Sequence, residues 1–413
     1  MQTHAPTSDT TALQANSADA IDESHCEPIV VVGAAAAAAA LCKSLRARGS
    51  RRRLILIDAE VRVPYDRPPL SKGVLTGAVT WDDLRLLPES VYDDQVELRL
   101  GVRAVGADLE RRVVFLEDGS TVAFGDLVIA TGVRARTFPD ACALSGAHTL
   151  RTYDDALALA EDLRGATSIV VVGAGFIGLE VAASARRLGV DVTVIEAADR
   201  PMAGRVPEQV SSHFRLLHEA HGVEFRFGRT VREFVQDAGK FIGVVLDDES
   251  EIRAQVALVS VGSVPNTEWL QGSGLDLSNG VVCDEHNRAA PGVFAIGDVA
   301  SVLHPHVQRH LRIEHRLTAN VHAEKVSALL CGADPDPVST PYFWSDQYDT
   351  KLQVHGLWSG DCDFEVLEAD DAGGWMVGRA TRGHETTAVV GVNAGGRLVR
   401  LRRQHLQRAE ARL

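Results

Sequence analysis

Two short stretches carry residues spaced to hold a dinucleotide. The clearer one, IVVVGAGFIGLEVAASARRLGVDVTVIE, runs from Ile169 to Glu196. Gly173, Gly175 and Gly178 complete the pattern G-x-G-x-x-G between an apolar strand and a helix. In that pattern the first glycine makes a tight turn, the second lets backbone approach a pyrophosphate, and the third lets helix and strand pack closely. Glu196 lies 23 residues past Gly173, near the spacing at which a carboxylate accepts ribose hydroxyls. The second stretch, IVVVGAAAAAAALCKSL, starts at Ile29. Its three positions are Gly33, Ala35 and Ala38, and taken alone it reads equally well as a strand before an alanine-rich helix.

Internal repetition favours the dinucleotide reading of both. An offset of 140 residues sets Val31, Val32 and Gly33 on Val171, Val172 and Gly173, Ala38 on Gly178, and Gly49 on Gly189. The strand after Gly49 closes on Asp58, 25 residues past Gly33, as the strand after Gly189 closes on Glu196. Alanine is accepted at the third position. Ala35 adds a methyl group where a pyrophosphate approaches, so it is expected to shift or weaken binding. The amides at the helix N-terminus still face an anion.

These two units must be positioned by a larger α/β frame. Apolar strands DLVIATG, ALVSVG and GVFAIGDVA end on Gly132, Gly262 and Gly297-Asp298. They bracket the second unit, so one Rossmann-like domain is interrupted by another. The expected layout is a disordered tail over 1–27, an FAD-binding domain over 28–143 and 272–334, an NAD-binding domain over 144–271, and a C-terminal α+β domain over 335–413. Pro-rich ADPDPVSTP is the expected linker to the last.

Composition excludes several classes. The 413 residues carry a net charge of -14, which argues against a general nucleic-acid or anionic-membrane binder. No apolar stretch approaches the ~20 residues that span a bilayer. The first 27 residues lack the basic start and apolar core of a signal peptide. Six cysteines are scattered without a C-x-x-C, which points to a reducing, cytoplasmic compartment and no zinc site. His304, His306 and His310 form H-x-H-x3-H, but no cysteine or carboxylate pattern joins them, so no metal is expected.

The two turns, ATG and GVFAIGD stand in the order that resembles the two-dinucleotide flavoprotein disulfide reductase superfamily. YDRPPLSKGVL and PYFWSDQYDTKLQVHG narrow the likeness. They are similar to NADH-dependent ferredoxin reductases that serve bacterial Rieske oxygenases and cytochrome P450 systems. The resemblance implies that Gly33, Ala35, Ala38 and Asp58 hold FAD, with Asp58 on the adenosine ribose. Arg67, Pro68 and Lys72 would lie in a loop running toward the flavin ring. Ala130, Thr131, Gly132 and Arg134 would close over FAD, with Gly262, Gly297 and Asp298, the last on the ribityl chain. Gly173, Gly175, Gly178 and Glu196 would hold NADH. Glu180 would sit near the nicotinamide and Trp344 near the flavin ring, with Lys72 and Glu180 as the catalytic pair. In RIEHRLTAN, Arg316 and Thr318 replace a tryptophan and an asparagine often found in the family.

The implied activity passes electrons from NADH through FAD to a [2Fe–2S] ferredoxin, by a monomer or homodimer. The expected docking residues are Arg309, Arg312 and Arg316, a basic cluster on an acidic chain facing an acidic partner. Two alternatives stay open. One is an NADH oxidase or pyridine nucleotide-disulfide reductase, which needs a cysteine that the Tyr65 to Lys72 loop lacks. The other is a redox-inactive binding protein of the same fold.

Overall fold

The computed structural model describes residues 27–87, 94–305, 307–336, 340–370 and 372–406. The expected tail therefore lies outside the described residues, apart from Glu27. Continuous apolar runs such as Ile29–Val32 are buried at every position, as strands at the centre of a parallel sheet must be when both faces are covered, here by helices on one face and by the antiparallel strands Ala104–Asp108, Val113–Leu116 and Thr121–Ala123 on the other. Ile29–Val32 pairs in parallel with Leu54–Asp58 on one side and Asp126–Ile129 on the other. Val293–Ala295, Arg288–Ala290 and Val96–Leu100 complete six strands.

The inner sheet repeats this plan. Ser168–Val172 pairs in parallel with Asp191–Glu196 and with Val256–Val259, and Val223–Phe227 and Ala147–His148 flank them. The outer sheet takes strands from both sides of this segment, so the inner domain is an insertion into the outer one. A third, antiparallel sheet of five strands spans Tyr342–Gln347 to Glu385–Val392. Its helix Gly395–His405 packs Leu398 and Leu401 on Val377 and Val389. The fold is thus α/β with two Rossmann-like units and a C-terminal α+β domain.

The alanine run has a packing role. Helix Ala36–Ala47 lies against helix Arg316–Leu330, with Ala37, Ala38, Ala319 and Ala323 in one core. Small side chains let the helices approach closely enough for Ser44 Oγ and Ser327 Oγ to meet at 2.6 Å. The C-terminal sheet shares its core with the inner domain: Leu352, Val354 and Val390 belong with Leu179, Val194 and Phe214. No helix among the described residues is long and apolar enough to cross a membrane.

Candidate functional site

Both turns follow one construction. Gly33 and Gly173 each have φ +103°, a left-handed conformation that favours glycine. A Cβ on Gly33 would lie 2.2 Å from the Ala130 carbonyl oxygen, and one on Gly173 would lie 2.4 Å from that of Ser260. The amides of these glycines donate to Ile57 O at 2.7 Å and Ile195 O at 2.8 Å. Each turn is therefore wedged between two parallel strands.

The acids close the turns from beside. Asp58 accepts from the Ala34 amide and, at 2.8 Å, from the Glu60 amide. Glu196 accepts from Ala174 N at 2.7 Å and from Ala198 N at 2.9 Å. Burial raises the Asp58 carboxyl above its ordinary value, and the two backbone amides oppose that shift. The carboxylate oxygens keep further lone pairs for ribose hydroxyls.

A test of fit comes from the helix N-termini. Helices Ala36–Ala47 and Phe176–Arg187 have no side-chain cap and no acid in their first turn. Helix Tyr153–Gly165 shows the usual alternative: Thr152 and Asp155 form a capping box, with Asp154 and Asp155 in its first turn. Leaving the first amides free of side chains suits an incoming phosphate. A Cβ on Gly175 or Gly262 would meet no protein atom within 4 Å. Ala35 is extended, at φ -105° and ψ -152°, so its methyl group causes no backbone strain. These residues fit two dinucleotides.

Lys72 and Glu180 meet between the two units, with Lys72 Nζ 2.6 Å from Glu180 Oε2. Lys72 also donates to Pro68 O at 3.0 Å. Glu180 is 7% exposed, and a carboxylate so buried requires donors. Ser71 Oγ donates to the same oxygen at 2.5 Å, and Ser345 Oγ to Oε1 at 2.6 Å. Ser184, one helical turn past Glu180, donates to Ser71 O at 2.8 Å and locks the loop to the helix. Arg67 pairs with Glu60 at 2.6 Å and donates to Arg151 O, so it anchors this loop.

Asp298 faces a residue that the sequence reading missed. Arg151 Nη2 donates to Asp298 Oδ2 at 3.0 Å, and the same nitrogen lies 3.2 Å from where a Gly132 Cβ would stand. Arg151 thus spans the ATG strand end and the turn at Gly297-Asp298. The available signal was the capping box beginning at Thr152, which fixes Arg151 just outside the helix. Arg134 instead pairs with Glu268 at 2.6 Å, half exposed. Thr131 and Asn266 exchange bonds: Thr131 Oγ1 donates to Asn266 O at 2.8 Å, and Asn266 Nδ2 to Thr131 O at 2.9 Å.

Strand alternation turns Trp344 to the face opposite Ser345, where it stacks on Tyr342 at 5.9 Å. The three docking arginines have different fates. Arg309 is exposed on strand Arg309–Leu311. Arg312 pairs with Glu314 and donates to Asn279 Oδ1 at 3.2 Å and Asp298 O at 3.3 Å. Arg316 Nε lies 2.5 Å from Asp66 Oδ1. His306 lies outside the described residues, and among those residues no group of three or more His, Cys, Asp or Glu is placed to hold a metal ion.

The family model for pyridine nucleotide-disulphide oxidoreductases matches residues 27–323, and one described as a reductase C-terminal domain matches residues 342–412. Rhodocoxin reductase of Rhodococcus erythropolis is 38% identical over 348 residues, covering 84% of this chain and 82% of the relative. The ferredoxin–NAD(+) reductase component of the anthranilate 1,2-dioxygenase system of Burkholderia cepacia is 39% identical, covering 84% and 86%. In a crystal structure of the covalent putidaredoxin reductase–putidaredoxin complex, one chain is similar at a TM-score of 0.87 and 32% identity, covering 91% and 92%.

Proposed function

The chain belongs to the pyridine nucleotide-disulphide oxidoreductase family, and from that premise we propose that it is an NADH-dependent, FAD-containing reductase of a [2Fe–2S] ferredoxin serving an oxygenase or cytochrome P450. The observation that carries this reading is the Lys72–Glu180 pair between two dinucleotide turns, with Ser71 beside it and no cysteine from Tyr65 to Lys72. Ferredoxin reductases among the relatives and the putidaredoxin complex support the partner class.

When bound, FAD accepts hydride and releases electrons singly, chemistry that the protein positions and tunes. The outer turn, Asp58, Arg151 and Asp298 hold FAD. The inner turn and Glu196 hold NADH, and the Glu196 carboxylate repels the 2′-phosphate of NADPH. Glu180 offers negative charge to the nicotinamide ring, which turns positive as NADH gives up its hydride. Lys72 balances Glu180 from the outer domain. Arg309 offers an acidic ferredoxin its first contact, because Arg312 and Arg316 are committed to internal partners.

The purified holoprotein should carry flavin and reduce a [2Fe–2S] ferredoxin with NADH. Lys72→Met should keep FAD yet slow flavin reduction by about tenfold in stopped flow, the equivalent of one charged hydrogen bond. A colourless protein, or an unchanged reduction rate in Lys72→Met, overturns the proposal.

A further inference from the structure

Behind Glu180 runs a buried chain of polar groups that the reaction as described does not use. Ser345 and Gln347 sit two apart on strand Tyr342–Gln347 and share one face, both fully buried. Gln347 Nε2 donates to Ser345 Oγ at 3.1 Å. His218 Nε2, on helix Glu208–Ala220 of the inner domain, meets Gln347 Oε1 at 2.8 Å. Tyr348 OH lies 3.4 Å from His218 Nδ1.

Elementary chemistry gives this chain a direction. A carboxylate only accepts, so Ser345 donates to Glu180. The Ser345 oxygen is then free to accept from the Gln347 amide nitrogen. The Gln347 carbonyl only accepts, so His218 Nε2 carries the proton. Burial pushes His218 down to about 4, so it is neutral near pH 7 and its Nδ1 accepts from Tyr348. Four successive donors therefore point toward one carboxylate, and such chains polarise one another in a buried setting.

We infer that Ser345, Gln347 and His218 are positioning residues for the NADH half-reaction, fixing the Glu180 carboxylate opposite Lys72 from the side of the C-terminal domain. This rests on the role given to Glu180 above. Lys72 and Ser71 both take Oε2, and Ser345 is the donor on Oε1. Without Ser345 the carboxylate can turn about its side-chain bonds, and the charge that the nicotinamide meets is displaced. The C-terminal domain then contributes a group to hydride transfer besides its packing on the inner domain.

The test uses holoprotein, with flavin reduction by NADH and re-oxidation by ferricyanide measured separately. Ser345→Ala should slow reduction by about tenfold, and Ser345→Thr, which keeps the hydroxyl, should restore it. Re-oxidation should stay within about twofold. In a Glu180→Gln background Ser345→Ala should add less than about twofold, because residues acting through one group are not additive. An equal loss in both backgrounds, or a wild-type rate in Ser345→Ala, overturns the inference. A wild-type rate in Glu180→Gln alone overturns the role of Glu180 instead. If Ser345→Ala does not accumulate as folded holoprotein, Gln347→Met makes the same test, since a thioether of similar size cannot donate to Ser345; a wild-type reduction rate there also overturns the inference.

Discussion

The two dinucleotide turns share one backbone and differ at two of their three glycine positions. Both first positions are glycine at φ +103°, each pressed on a neighbouring carbonyl. At the third position the units part. A Cβ on Gly178 would lie 2.1 Å from Gly173 O, whereas Ala38 carries its methyl group in a fully buried site. The outer helix accommodates this methyl group and packs its alanines on helix Arg316–Leu330. The inner helix sits tight on its turn and gives Glu180 and Ser184 to the loop at Ser71. The first position is thus set by the backbone, the third by helix packing, and the second alone is left to the ligand.

The largest expected effect comes from breaking the shared position. Gly33→Ala and Gly173→Ala both force a left-handed alanine against backbone atoms that cannot yield. Each should cost about 3 kcal/mol or more. The readouts should separate by domain. Gly33→Ala should lose flavin per protein, while Gly173→Ala should keep its flavin and lose reduction by NADH. Flavin-to-protein absorbance and thermal melting measure both. Full flavin and a melting temperature within about 2 °C of wild type in Gly33→Ala would break the equivalence.

Next in size is a pH effect with one histidine on each side. His322 accepts from Gly297 N at 3.2 Å, beside the outer site, and burial pushes it down to about 3. His218 stands at about 4, also through burial. Between these values and the ordinary 6.5 the unfolded chain binds protons that the folded chain refuses. Stability is therefore intact above about pH 6.5 and falls as pH drops toward 4. At 1.36 kcal/mol per unit, each histidine removes roughly 2 kcal/mol between pH 7 and pH 5. His218→Asn and His322→Asn should each flatten the fall of melting temperature over that range. A slope identical to wild type in either variant shows that its histidine is already charged in the fold.

What could be read from the chain follows the same division. The turns and their acids were legible because each is local, a strand, a turn and a helix within thirty residues, and the interrupted layout because glycine-ended apolar strands bracket the second unit. Alanine at position 38 was tolerable on sequence grounds, but why seven alanines stand together needed the facing helix at Ala319 and Ala323. Arg151 escaped notice because its partner Asp298 is 147 residues away. Ser345, Gln347 and His218 escaped for the same reason, since their line forms only when the C-terminal domain closes on the inner one. Arg312 looked like a surface charge, and no local pattern tells that it reaches back to the Asp298 carbonyl.

The smallest effect should come from the second position, where the two units can be exchanged. A Cβ on Gly175 meets no protein atom within 4 Å, and its φ of -74° suits any residue. Gly175→Ala should therefore fold as wild type, with melting unchanged within about 1 °C. Any loss then reports how closely the pyrophosphate approaches the turn. The expected change is a KM for NADH raised by about threefold to tenfold, the worth of one misplaced methyl group. Ala35→Gly is the reciprocal change. It removes the methyl group at an extended residue, and glycine at that cap position costs a few tenths of a kcal/mol at most. Its FAD dissociation constant should fall by about threefold, read by flavin fluorescence during dialysis or dilution. Weaker FAD in Ala35→Gly, or an unchanged NADH KM in Gly175→Ala, would show that the second position does not face the phosphate in that unit.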